Sequence, residues 1–106
     1  MAINYVSAQA VNVTSSTTVY NPTTAGVQAT LIGCLLANKT NAPITASVTL
    51  NNGSTTTTNI VYNIPITTGN SLDVMNSAKI IVPQNYVLAV SASGAVDVTV
   101  SSIEVS

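Results

Sequence analysis

The sequence predicts an all-β fold, a single antiparallel β-sandwich or jelly-roll-like domain of about eight short strands. Three observations carry that expectation. Apolar residues recur with a period of two, as in Ile44, Ala46, Val48 and Leu50 or in Val96, Val98 and Val100, which is the spacing that lines one face of a strand. Thr, Val, Ile, Asn and Ser dominate the chain, and these residues lose rotamer freedom in a helix or compete for its backbone hydrogen bonds. Turn formers interrupt the pattern at Asn21-Pro22, Ala42-Pro43, Thr68-Gly69 and Pro83-Gln84-Asn85, leaving runs of strand length between them. With 106 residues and no linker, repeat or charge block, the whole of 1–106 reads as one domain.

Residues 1–15 are expected to form a docking arm or an edge strand, with the first strand pattern at 10–13. Strands follow at 17–20 and 27–38. The clearest hairpin joins 44–50 to 59–64 through Asn52-Gly53 and four consecutive threonines, Thr55 to Thr58; Asn-Gly supplies the positive φ of a tight turn, and the connection is expected to protrude as an arm. Short strands at 71–75 and 79–82 come next. A second hairpin is expected from 86–90 through Ser93-Gly94 into 96–100. After Val100 the apolar positions become Ile103 and Val105. One extra residue at Ser101-Ser102, a β-bulge, accounts for that slip.

The run Leu31-Ile32-Gly33-Cys34-Leu35-Leu36 is apolar on both faces. Free cysteine is strongly biased to burial, so a strict period of two places Ile32, Cys34 and Leu36 inward and Leu31 and Leu35 outward. The same alternation turns Ile81 and Val87 outward. The expected core therefore contains Ile32, Cys34, Leu36, Val48, Tyr62, Leu88, Val90 and Val98. The expected outward stripe, Leu31, Leu35, Ile81 and Val87, is a candidate interface, because contiguous apolar surface is normally covered. Its cover is either a neighbouring subunit or the segment Ile3-Asn4-Tyr5-Val6 folded over it, and the scarcity of charge favours a subunit.

Charge also narrows function. Lys39 and Lys79 stand against Asp73, Asp97 and Glu104, with no Arg and no His. Two scattered lysines form no basic stripe for nucleic acid or an anionic membrane. Three separated carboxylates without histidine are a poor inventory for acid–base catalysis, so no enzyme, cofactor or catalytic residue is expected. Cys34 is the single cysteine; it forms no intrachain disulfide and no zinc site of ordinary spacing, and its apolar flanks make it a core side chain more readily than a nucleophile. The opening Met1-Ala2-Ile3-Asn4-Tyr5 has no basic or apolar targeting pattern, and no apolar run has the length of a membrane span, so synthesis in a cytoplasm without a membrane anchor is expected. Three sequons, at Asn12, Asn38 and Asn52, are read as chance in a Thr- and Asn-rich chain.

From Thr17 onward the order of features resembles the small β-sandwich virion proteins of tailed bacteriophages, especially those of cyanophages and other aquatic phages. The resemblance runs through Thr17-Thr18-Val19-Tyr20-Asn21-Pro22, then Ile32-Gly33-Cys34-Leu35-Leu36-Ala37-Asn38-Lys39-Thr40, then Ile64-Pro65-Ile66-Thr67-Thr68-Gly69-Asn70-Ser71-Leu72. It continues in Lys79-Ile80-Ile81-Val82-Pro83-Gln84-Asn85-Tyr86-Val87-Leu88-Ala89-Val90 and closes on Val96-Asp97-Val98-Thr99-Val100-Ser101-Ser102-Ile103-Glu104. It implies a virion component, first a capsid decoration (cement) protein and next a neck, collar, tail or fibre component. The implied partners are copies of itself, with a trimer favoured, and the major capsid protein or other virion proteins. A glycan-binding adhesin module is the rival from another class, but sugars stack on exposed aromatic faces and the chain has no Trp or Phe.

Overall fold

A computed structural model describes residues 3–75 and 79–105. Among them are nine strands and no helix. In chain order they are β1 (Ile3–Val13), β2 (Thr17–Tyr20), β3 (Gln28–Asn38), β4 (Ile44–Asn51), β5 (Thr57–Ile66), β6 (Ser71–Asp73), β7 (Ile80–Pro83), β8 (Val87–Ala92) and β9 (Val96–Val105). One antiparallel sheet runs β1-β9-β3-β6 with β7 also on β3, and the other runs β2-β8-β4-β5. Because β6 pairs with residues 35–37 of β3 and β7 with residues 28–31, the two amount to one interrupted strand. Counted that way, the order is the interleaved eight-strand order of a jelly roll, matching the expected class.

The core lies between the inner faces. Ala29, Leu31, Cys34 and Leu36 of β3 and Val96, Val98 and Val100 of β9 meet Ala46 and Val48 of β4 and Leu88 and Val90 of β8, all buried. Each large aliphatic side chain taken fully from water contributes about 1.5–3 kcal/mol. Six of the eight expected core residues, Cys34, Leu36, Val48, Leu88, Val90 and Val98, are in this layer.

The other two are not, and each failure has a bulge behind it. Along β3 the partner of Leu31 is Ser102 and that of Gly33 is Ser101, so Ile32 is an extra residue. Past a bulge the alternation changes phase: Leu31 is 0% exposed and Ile32 is 43% exposed, the reverse of the strict period-two reading. The extra residue expected at Ser101-Ser102 is thus on the facing strand. β9 itself keeps its alternation, with Ser102 buried like Val100 and Ile103 on the outer face. In β5, Val48 and Ala46 of β4 face Val61 and Ile64, which leaves one residue too many at Tyr62-Asn63. Asn63 takes a positive φ of 49°, and its N–H donates to Ser47 Oγ at 2.9 Å. Tyr62 is thereby turned out of the core, 66% exposed.

Two connections also differ from expectation. Residues 86–90 and 96–100 form no hairpin, because β8 pairs with β2 and β4 while β9 pairs with β1 and β3. The chain arches from one sheet to the other at Ser93-Gly94. Both runs still point their apolar residues inward, which is why alternation alone could not tell an arch from a hairpin. Gly94 is required at this crossing, since a Cβ there would lie 2.6 Å from Ile44 Cγ2. The β4–β5 hairpin is as expected, but Thr57 and Thr58 belong to the ladder. Its tip does not protrude freely either: a Cβ on Gly53, at φ 80°, would lie 2.6 Å from the Asn85 carbonyl oxygen.

Candidate assembly surface

The outer face of the β1-β9-β3-β7 layer carries the feature least like an ordinary monomer surface. Pairing registers set Tyr5 beside Ile103, Ile103 beside Thr30, and Thr30 beside Ile81, so one row crosses four strands. Directly paired residues share a face, and the inward burial of Val6, Leu31, Ser102 and Val82 fixes this row as outward. Tyr5 is 81% and Ile81 61% exposed. The next row holds Ile3, Val105, Gln28 and Pro83, and Ile32 joins the patch from the β3 bulge. None of these residues is charged.

Toward the other end of the sheet the face becomes polar. Gln9, Thr99, Leu35 and Asp73 make one row. Beyond it Lys39 Nζ sits 3.1 Å from Asp97 Oδ1, which also accepts the Asn12 N–H at 3.1 Å. That backbone donor, and then the Lys39 ammonium, hold the Asp97 carboxyl below its ordinary range. The described residues thus keep their ion pair at the end of the sheet away from the apolar rows.

Of the four residues expected as an interface stripe, the structure brings two onto this face. Leu35 and Ile81 are both exposed there, in different rows. Leu31 is inside the core, for the bulge reason given above. Val87 lies on β8, opposite Asn51 in the other sheet. The N-terminal segment does not fold over the stripe: β1 lies in the plane of the sheet beside β9 and adds Ile3 and Tyr5 to the exposed apolar surface. Ile103 and Val105 fall outside the expected stripe because a bulge is expected in β9, and Tyr5 because Ile3–Val6 is expected as a cover or an arm. Continuing the β9 alternation from Val96 through Glu104 would have turned Ile103 and Val105 outward.

The remaining chemistry-bearing side chains have structural surroundings. Cys34 is buried, and burial, with the nearby Asp73 charge, pushes its thiol up to about 11, far from the thiolate that a nucleophile or metal ligand needs. Tyr20 donates its hydroxyl to Glu104 Oε2 where the two sheets meet, and burial and this bond push the phenol up to about 12. The sequon asparagine Asn38 is 2% exposed: its amide donates to the Ala42 and Ile66 carbonyls at 2.9 and 3.0 Å, and its Oδ1 accepts from Thr40 N and Oγ1 at 2.9 and 2.7 Å. An amide so engaged is a turn fastener and leaves no room for a glycan. Among the described residues no group of three or more His, Cys, Asp or Glu gathers as metal ligands would.

No family model matches the chain, and no curated protein does. Among solved structures, the fold is similar to that of a protein of Bacillus endospore appendages, described as a novel family of disulfide-linked pili. The TM-score is 0.55 at 16% identity, over 97% of this chain and 85% of that one. At that identity the likeness establishes a shared fold.

Proposed function

We propose that this chain is a structural subunit whose work is done by protein–protein contact, and we read it first as a decoration (cement) protein of a phage virion. The observation that carries a contact role is the uncharged apolar patch, Ile3, Tyr5, Ile32, Ile81 and Ile103, spread over four strands of one sheet face. A patch of this kind is covered in a working assembly. On a capsid, copies seated at junctions between shell subunits add buried area that resists the pressure of packaged DNA, and closed symmetry is expected. Contact area does the work, and no chemical residue is needed.

The fold likeness to a pilus protein favours a second reading, a subunit of a surface appendage. In that case the links between copies are non-covalent, since the single cysteine, Cys34, is packed in the core. Light scattering and electron microscopy of the purified protein, with and without capsids, separate these readings. Discrete oligomers that attach to capsids are the expected result. Open filaments would move the assignment to an appendage, and a monomer indifferent to capsids at every soluble concentration would overturn the contact role.

A further inference from the structure

β1 differs from every other sheet edge among the described residues. Native edges are protected from pairing by shortness, bulges, proline or charge. β2 has four residues and a register shift, β6 and β7 have three and four, β7 ending in Pro83, and β5 carries Pro65 and two register shifts. β1 runs for 11 residues with neither charge nor proline and pairs with β9 alone. Its one irregularity, between Ala10 and Val13, lies at its far end.

The β1 sequence also matches its own reverse. Folded back on a copy of itself about Ala8, it sets Tyr5 opposite Val11, Val6 opposite Ala10, Ser7 opposite Gln9 and Ala8 opposite Ala8. Tyr5, Ser7, Gln9 and Val11 are exposed on the outer face, whereas Val6, Ala8 and Ala10 are half-buried against the core. Apolar therefore meets apolar and polar meets polar at every step, each on its proper face. Tyr5, 81% exposed, and Val11, 69% exposed, would cover each other as an aromatic–β-branched cross-strand pair, twice by symmetry.

Resting on the assembly role above, we propose that β1 pairs antiparallel with β1 of a second copy about a two-fold axis at Ala8, fusing the two β1-bearing sheets into one. The ladder runs from Tyr5 to Val11, about 24 Å of edge. It stops at Asn12, whose φ of 55° turns the chain and whose N–H is taken by Asp97. This contact is isologous and gives two-fold symmetry in place of the three-fold symmetry that the virion resemblance implies.

Charge on the exposed face tests it without touching the core. S7K/Q9K places lysine opposite lysine across the axis, and S7E/Q9E places glutamate opposite glutamate. Each variant alone is expected to weaken self-association at least tenfold in light scattering. An equimolar mixture is expected to restore it, as lysine then faces glutamate at every step. Oligomers unaffected by S7K/Q9K would overturn the β1 contact and leave the assembly role standing, with another surface in use. Two weakened variants that fail to recombine would overturn the register about Ala8. A wild-type chain that stays monomeric would overturn the β1 contact, and the assembly role falls with it only where that monomer is also indifferent to capsids.

Discussion

β1 and β5 are the two long edge strands, one in each sheet, and neither carries a charge. They differ in how the rest of the chain treats them. β5 is held by side chains as well as by its ladder: Asn38 takes the Ile66 carbonyl, Ser47 takes the Asn63 N–H, and Pro65 removes a donor from the edge. Its large exposed residue, Tyr62, sits beside a bulge that breaks the strand's regularity. β1 is regular from Ile3 to Ala10 and, among the described residues, is fastened by a side chain at Asn12 alone, through Asp97. The comparison teaches that an edge without charge can still be protected by its backbone. On that criterion β5 is closed to partners and β1 is open.

The largest effect that would sharpen this contrast comes from Asn38. Asn38→Ala removes four hydrogen bonds at a buried site and unpins the end of β5. The expected loss is about 3 kcal/mol in urea denaturation, since each buried bond contributes about 1 kcal/mol and orphaned carbonyls add to the cost. A loss within a few tenths would show that β5 does not depend on that fastening.

Next in size is the association of β1. Tyr5→Ser with Val11→Ser is expected to weaken self-association about tenfold, equal to about 1.4 kcal/mol, with stability nearly unchanged because both side chains are exposed. Tyr62→Ser, an equally exposed aromatic on the other edge, is expected to change neither quantity. Analytical ultracentrifugation of the two variants decides it, and equal effects would erase the distinction between the edges.

How much of this was legible in the sequence follows from where alternation holds. The class, most strands and six core residues are readable, because β4, β8, most of β9 and the part of β3 beyond its bulge, with Cys34 and Leu36, keep a strict period of two. The candidate site is legible only in Leu35 and Ile81, since most of its boundary depends on bulges. Ile32 and Tyr62 exchange faces with their neighbours where one extra residue enters β3 and β5, and nothing in Leu31-Ile32-Gly33 marks which residue is extra. Asn63 at the β5 shift and Asn12 at the β1 shift, both with positive φ, are the local markers at such points. Likewise, an arch and a hairpin give the same alternation, so the sheet to which β9 belongs depends on partners far along the chain.

A smaller effect concerns the Ser47–Asn63 bond. Ser47→Ala is expected to cost about 1 kcal/mol, read as a shift in the denaturation midpoint without a change of slope. If the bond also sets the β5 bulge, the amide exchange of Asn63 rises with it. No change at Asn63 would mean that the bulge is held by packing alone.

The least effect is pH dependence at the β1 fastening. The Asp97 carboxyl lies below its ordinary range in the folded protein, so its contribution is present at neutral pH. It is lost as pH falls through the ordinary carboxylate range, about 4, to the lowered value. Protection of the Asn12 amide is expected to fall in that acid window while β5 amides keep theirs. Acid-insensitive protection at Asn12 would remove Asp97 from the account.

Amide hydrogen exchange across both edges, compared between dilute and concentrated protein, tests the open-edge claim most directly. β1 amides between Tyr5 and Val11 that point away from β9 are expected to gain protection with concentration, while those of β5 between Thr57 and Ile66 stay the same. Concentration-independent exchange in β1, or protection gained in β5 instead, would contradict it.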